Sequence, residues 1–268
     1  MKRLALALAG LLAYGWRILP RRLRHLLVKG LFVLESRGPD TGAALARLFA
    51  LQDDLEHVVN ERALVHGRGE HPKHRLMRYH DFFVDRIADG ERVLDVGCGY
   101  GAVARSIARG RPGAKVVGLD YDKGRLAQAR AADNPSNLAF VEADATRAVP
   151  DGPWDVVVLS NVLEHISDRV GFLSALIAGT GARRFLIRVP LFERDWKLPM
   201  RREVGANYYS DPDHKIEPML SEFRAETHAA GLEIEELQTP WGEIWASLRP
   251  QAGAGPSSRA HAADPARP

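Results

Sequence analysis

Cysteine is nearly absent from this chain. One thiol, Cys98, stands among 268 residues, which excludes an intramolecular disulfide framework and any zinc cluster built from thiolates. That usage fits a reducing compartment. A spanning hydrophobic run is missing as well: the apolar stretch LALALAGLLAYGW, residues 4–16, falls short of the roughly 20 residues a membrane-crossing helix needs. There is no internal repeat. What is present is 46% hydrophobic residues, enough to bury the core of one sizeable α/β domain with attachments.

Charge is scarce in the sum and concentrated in its placement. Within residues 1–38, Lys2, Arg3, Arg17, Arg21, Arg22, Arg24, Lys29 and Arg37 face Glu35 alone, a local +7; since the whole chain carries +3, the remainder carries −4. A mildly acidic body is a poor binder of phosphate backbones, so no nucleic-acid partner is expected. Arginines directly after the apolar stretch oppose translocation and argue against a cleaved signal. On a helical wheel, RILPRRLRHLLVKGLFVLE puts Leu19, Leu23, Leu26, Leu27, Leu31 and Leu34 on one face. Arg17, Arg21, Arg22, Arg24, His25 and Lys29 crowd the other. Such a helix suits an anionic membrane surface, and the expectation is a cytoplasmic protein held peripherally on the inner face of the membrane through residues 1–38. The alternatives are a helix packed on its own domain with the basic face solvated, and a cleaved targeting segment.

Helical spacing continues over residues 41–66, and KHRLMRYHDFFVDRIA reads as one further helix ending near Gly90, so residues 39–90 form a helical lead-in or lid. From Arg92 onward short apolar strands alternate with amphipathic helices, the pattern of a parallel, doubly wound sheet. The alternation stops at Pro190. Residues 190–218 are long, polar and aromatic without clear period, a length that is usually functional inside a domain. A helix and an antiparallel hairpin, LEIEELQ and EIWASL around TPWG, close the domain of residues 91–249. Residues 250–268, rich in Ala, Gly, Pro and Ser, read as a disordered tail.

The chemistry centres on VLDVGCGYG, residues 93–101. A strand, a glycine turn and a helix N-terminus expose backbone N–H groups to a polar ligand. GCGYGA also fits the dinucleotide fingerprint, with Asp120 placed for ribose hydroxyls in either reading. Asp95 ahead of the turn, Asp144 at the end of the third strand and the terminal hairpin favour a ligand with an ammonium group, a ribose and an adenine. That ligand is S-adenosyl-L-methionine.

VLDVGCGYG, VVGLDYD, FVEADAT and WDVVVLSNVLEHI, in this order and spacing, resemble the motif series of class I S-adenosylmethionine-dependent methyltransferases over roughly residues 74–248. The resemblance implies a Rossmann-like α/β fold: a seven-stranded sheet, mostly parallel with a C-terminal antiparallel hairpin, and helices on both faces. It implies contacts from Asp95, Gly97, Gly99 and Gly101 to the methionine part, from Asp120 and Tyr121 around the ribose, from Asp144 and Ala145 to adenine, and from Asn161 near the sulfonium.

For the acceptor, the prolines typical of base amino-methyltransferases are missing from SNVLEHI, and that form is similar to enzymes acting on small molecules, quinone precursors and sugars. Glu193, Asp195, Trp196, Tyr208, Tyr209, Asp211 and Asp213, with Trp241, Glu243 and Trp245 of the hairpin, suit a polyhydroxylated acceptor. The leading expectation is O-methylation of a small or lipid-linked, sugar-containing acceptor in cell-envelope glycan assembly. A quinone or isoprenoid acceptor is the alternative, favoured if the pocket lacks that acidic and tryptophan lining. A non-catalytic donor-binding partner is a third. Candidate general bases are His214 and His165, with His80 a lesser one. No metal is expected, since Asp211, Asp213 and His214 lack a ligand-spacing signature.

Overall fold

The computed structural model describes residues 10, 12–69 and 71–252. They divide into two compact units, one drawn from residues 1–69 with Pro199–Tyr208, the other from residues 70–198 with 209–268. The segment 190–218 is therefore shared between them. Residues 253–268 of the expected disordered tail, residues 1–3, and residues 4–9 and 11 of the apolar stretch lie outside the described residues.

The first unit is helical. Pro20 precedes α1 (Arg21–Glu35), none of whose residues is buried, and Leu23, Leu26, Leu27, Leu31 and Leu34 are all exposed. Asp40 opens α2 (Thr41–His66), its carboxylate accepting from the Ala43 amide at 2.9 Å, the usual way to satisfy a free helix-start donor. Residues 199–208 are tied to α2 by Arg201, which is buried, lies over the Phe49 ring at 4.5 Å and pairs with Asp53 at 2.9 Å.

In the second unit the single expected helix is two: α3 (Lys73–Met77) and α4 (Tyr79–Val84), broken at Arg78 with φ +53°. The break follows the burial. Tyr79, Phe82 and Phe83 of α4 are buried, while α3 buries nothing, so one straight helix could not serve both surroundings.

The sheet is built from β1 (Arg92–Val96), β2 (Lys115–Asp120), β3 (Leu138–Glu142), β4 (Val156–Ser160), β5 (Arg184–Pro190), β6 (Leu232–Gln238) and β7 (Glu243–Pro250). Its seven strands run in the order β3-β2-β1-β4-β5-β7-β6. The first five are parallel, and β7 joins β5 and β6 antiparallel. This is the expected architecture. Between the strands come α5 (Ala102–Gly110), α6 (Lys123–Ala131), α7 (Arg169–Thr180), α8 (Lys197–Glu203) and α9 (Leu220–Ala229). Alternation along each strand splits the core in two. Leu94, Val96, Val157, Leu159, Phe185 and Ile187 face α7 and α9, and Val93, Val156, Val158 and Leu186 face α4 and α5. Helices on both faces make the central strands apolar along most of their length, broken by Asp95 in β1, Asp120 at the end of β2 and Arg188 in β5. The order reverses between β1 and β4, and a crevice opens at the carboxyl ends there.

Candidate active site

The crevice is a cavity of about 420 Å³ lined by the ends of β1 and β2 and by the segments that follow β3 and β4. Gly97 brings the glycine turn to its wall. Gly97, Gly99 and Gly101 have φ of +69°, +55° and +76°, a region that side chains resist. A Cβ on Gly97 would lie 2.8 Å from Val162 Cγ2 and one on Gly101 2.6 Å from Phe140 Cζ, whereas one on Gly99 meets nothing within 4 Å. Gly97 and Gly101 are thus fixed by the protein, and Gly99 faces open space.

Two carboxylates organise this turn. Asp120 is buried and accepts from the Gly99 amide and the Asp122 amide, both at 2.8 Å, so the ribose-side acid also pins the turn. Asp95, 1% exposed, lies beneath the turn. It accepts from the Ala104 amide, and its Oδ2 has no partner. Burial, reinforced by the charge of Asp120 and opposed by the Ala104 amide, pushes its pKa up to about 7. Cys98 beside them is partly buried, and that burial raises its thiol pKa far above the ordinary range, so it is no nucleophile.

Gly97, Asp120, Tyr121, Asp144, Ala145, Asn161 and His165 line the cavity, together with Val96, Leu119, Thr146, Val162, Ile166 and Phe172. Asp144 accepts from the Thr146 hydroxyl at 2.6 Å and amide at 3.0 Å, bonds that hold its pKa below the usual carboxylate value. Asn161 adopts φ +58°, and its buried Oδ1 has no partner. Orphaned acceptors on Asp95 and Asn161, an open glycine and a ribose-height carboxylate fit the ammonium, sulfonium and sugar of S-adenosylmethionine. That donor supplies a methyl group already activated as a sulfonium; the protein has to align the acceptor and remove a proton.

The histidines converge on one rim. His165 lines the cavity from the turn after β4, with Nδ1 3.4 Å from the Asp213 carbonyl. His214 is buried behind it, the rings edge-on at 4.9 Å. Its Nδ1 lies 2.9 Å from Glu217, and its Nε2 4.0 Å from Glu164. Burial lowers the pKa of His165. For His214 burial works the same way, but the Glu217 bond and the charges of Glu164, Glu217 and Asp211 outweigh it, and its pKa rises. His80 stands apart: it bonds Ser106 at 2.7 Å, is not among the cavity-lining residues, and is driven by burial to a pKa of about 4.

Glu164 and Glu217 escaped the sequence reading. Glu164 sits inside the LEHI stretch, and only its location distinguishes it. Glu217 is recognisable only once Arg194, Ser210 and His214 are brought round it.

The expected acidic and aromatic wall does not assemble. Glu193 accepts from the Leu220 amide at 2.9 Å, and Asp195 pairs with Lys197 at 3.2 Å. Glu243 pairs with Arg188 across β5 and β7, and Trp245 is buried against Phe82. Trp196 and Trp241 are exposed, and neither lines the cavity; Asp213 is the one acidic member of that wall that does.

Residues 68–237 match the family model described as a methyltransferase domain. The chain belongs to this family. It is a class I S-adenosylmethionine-dependent methyltransferase. The methyltransferase is similar to the ubiquinone biosynthesis O-methyltransferase of Aeromonas salmonicida, at 31% identity over 55% of this chain and 65% of that protein. It is also similar to that of Rhodopseudomonas palustris strain TIE-1, at 33% identity over 45% and 47%. Trans-aconitate 2-methyltransferase of Streptomyces avermitilis matches at 33% identity over 41% and 43%. The methyltransferase spans 35% to 65% of the length of such relatives. In fold it resembles a methyltransferase from Listeria monocytogenes, with a TM-score of 0.51 at 14% identity, covering 66% of this chain and all of that one. Magnesium protoporphyrin IX methyltransferase of Synechocystis PCC 6803 gives 0.51 at 18% identity, covering 65% and 83%.

Proposed function

We propose that this methyltransferase O-methylates a small, weakly polar hydroxyl acceptor of the quinol or isoprenoid-phenol class at a membrane surface. The observation that carries this reading is His165 on the donor cavity with His214 and Glu164 buried behind it, a cluster that can activate a hydroxyl beside the donor. The choice of acceptor follows from the missing wall. Glu193, Asp195 and Glu243 spend their carboxylates on protein partners, and the cavity rim between Val162, Ile166 and Phe172 is apolar. The similarity to ubiquinone biosynthesis O-methyltransferases supports the same choice. A sugar-containing envelope acceptor loses the polar lining on which it rested. Incubating the protein with S-adenosylmethionine and either a catechol-type prenylated quinol precursor or a glycolipid tests the choice. O-methylated quinol by mass spectrometry is expected; methylated glycolipid alone overturns it.

Asp95 gives the donor step a pH signature. Below its pKa of about 7 the carboxyl is protonated, and binding a ligand ammonium requires its ionisation. Affinity for S-adenosylhomocysteine is expected to rise about tenfold from pH 6 to pH 8 and flatten above, with release of a proton on binding. Calorimetry measures both. Asp95→Asn should flatten the profile, and an unchanged slope in that variant removes Asp95 from the donor site.

The membrane part of the reading rests on α1. No helix among the described residues is long and apolar enough to cross a membrane, yet α1 exposes five leucines opposite Arg21, Arg22, Arg24 and Lys29. Leucines inserted at the headgroup boundary and cations on anionic lipid bind together, holding the enzyme to the inner leaflet and raising the local concentration of a lipid-borne acceptor. Co-sedimentation with phosphatidylglycerol vesicles is expected, with loss in neutral vesicles and in the double variant Leu26→Asp, Leu31→Asp. Sedimentation unchanged by that variant sinks the docking helix.

A further inference from the structure

We propose that Glu164, His165 and His214 form a site for a first-row divalent cation that binds the acceptor oxygen. Each residue offers one ligand atom, and the three atoms lie within 4.8 Å of one another. Three further features make this more than a cluster of polar side chains.

The first is Glu164. Its residue is 0% exposed and neither carboxylate oxygen has a hydrogen-bond partner. Buried polar groups are almost always satisfied, so a bare carboxylate in the core marks a missing partner. The second is the orientation of His214. Its Nδ1 sits 2.9 Å from Glu217, whose carboxylate is itself fixed by the Ser210 amide at 2.6 Å, the Ser210 hydroxyl at 2.7 Å and the Arg194 guanidinium. The proton is thereby held on Nδ1 and the lone pair is left on Nε2, toward Glu164. A carboxylate behind a histidine in this way is the usual support of a metal-ligating imidazole. The third is a distance. Glu164 Oε1 and His214 Nε2 are 4.0 Å apart, too far for a hydrogen bond. Two bonds of roughly 2.0–2.1 Å to one tetrahedral zinc-sized ion span about 3.4 Å, so a side-chain shift of a few tenths of an ångström brings both atoms onto one ion.

The backbone holds these ligands in register. The Glu164 carbonyl accepts from the Lys215 amide at 2.7 Å and the Ile216 amide at 3.3 Å, so the turn carrying Glu164 and His165 is stitched to the segment carrying His214. His165 contacts the Asp213 carbonyl through Nδ1 and has Nε2 to offer. Two imidazoles and one carboxylate suit zinc, cobalt(II), iron(II) or manganese(II) better than magnesium or calcium. Three protein ligands leave a coordination position open, as catalytic sites do, and His165 places that opening on the donor cavity.

The role assigned here rests on the O-methylation reading. The acceptor hydroxyl coordinates the cation and gives its proton to water. Its oxygen then forms the bond to the methyl carbon as the sulfur–methyl bond breaks, and the sulfur keeps the bonding pair. The histidines act as ligands in this scheme and take no proton.

Untagged, chelator-stripped protein titrated with cobalt(II) and followed by visible absorption tests the site, with zinc(II) calorimetry in parallel. One equivalent with the spectrum of a low-coordinate nitrogen–oxygen site is expected. His165→Ala, at an exposed position, and Glu164→Gln are each expected to weaken binding at least tenfold, and Glu217→Gln tenfold or more by loosening His214. Melting temperature should stay unchanged in His165→Ala, which shows that the fold is intact. No cobalt spectrum at millimolar metal overturns the site, as does binding that survives unchanged in both His165→Ala and Glu164→Gln. Loss of S-adenosylhomocysteine binding in the parent protein strikes the methyl-transfer reading instead and leaves the metal result legible.

Discussion

Replacing Arg188 by methionine is expected to cost about 3–5 kcal/mol of stability, the range for breaking one partner out of a buried ion pair. Arg188 lies in β5 and its guanidinium grips Glu243 of β7 with two bonds, Nε donating to Oε2 at 2.6 Å and Nη2 to Oε1. Both side chains are largely buried. The guanidinium also lies 3.8 Å from the centre of the Tyr79 ring, and Glu243 accepts from the Trp245 indole at 2.8 Å. Without the arginine a buried carboxylate keeps one neutral donor. Thermal melts should fall by about 6–20 °C at roughly 2–4 °C per kcal/mol. Adding Glu243→Leu to Arg188→Met should recover most of the loss, because the unpaired charge rather than the missing contact dominates it. A fall below about 1 kcal/mol in the single variant, by the same measure, means the pair is solvated in solution.

Gly101→Ala is the second large effect, and it separates folding from binding when set beside Gly99→Ala. At Gly101 the left-handed backbone costs about 1–2 kcal/mol for a residue with a Cβ, and the methyl lands 2.6–2.7 Å from the Phe140 ring. Overpacking of that kind adds about 1–3 kcal/mol. The start of α5 has to shift, and with it the glycine turn, so both melting temperature and S-adenosylhomocysteine affinity should drop. Gly99→Ala bears only the backbone part, since its Cβ meets open space, yet it adds a methyl to the turn expected to hold the donor. Its melting temperature should fall by a few degrees while donor affinity falls at least tenfold. Equal loss of stability in the two variants contradicts the packing argument at Phe140.

Those glycines were legible because their task is local. A positive φ, a strand end and a helix start within nine residues leave a mark in sequence, and so do Asp120 and Asp144 at the ends of successive strands. The strands themselves were readable because a parallel sheet covered on both faces makes the central ones mostly apolar. Residues that act across the fold left no such mark. Glu243 and Trp245 looked like binding residues because they are polar and aromatic beside a turn; their use, against Arg188 and Phe82, depends on β7 lying antiparallel to β5. Helix α8 hid in a segment whose periodicity is interrupted by Pro199. The break at Arg78 follows from which aromatic rings reach the core, a fact about the far side of the sheet. His165 was legible from its place after the fourth strand and His214 from its acidic neighbours in the insertion, but the orphaned Glu164 beside them becomes visible only when burial and partners are known.

The two amides donated by Lys215 and Ile216 to the Glu164 carbonyl also bear on how this scaffold can be re-engineered. Grafting an acceptor loop from another methyltransferase usually treats the region after the fifth strand as an independent cassette. Here that cassette shares a seam with the turn after the fourth strand, and a graft that shifts the seam by one residue would separate His214 from Glu164. Chimeras that exchange residues 163–166 and 209–218 together preserve the seam, so in this protein the two segments travel as a matched pair.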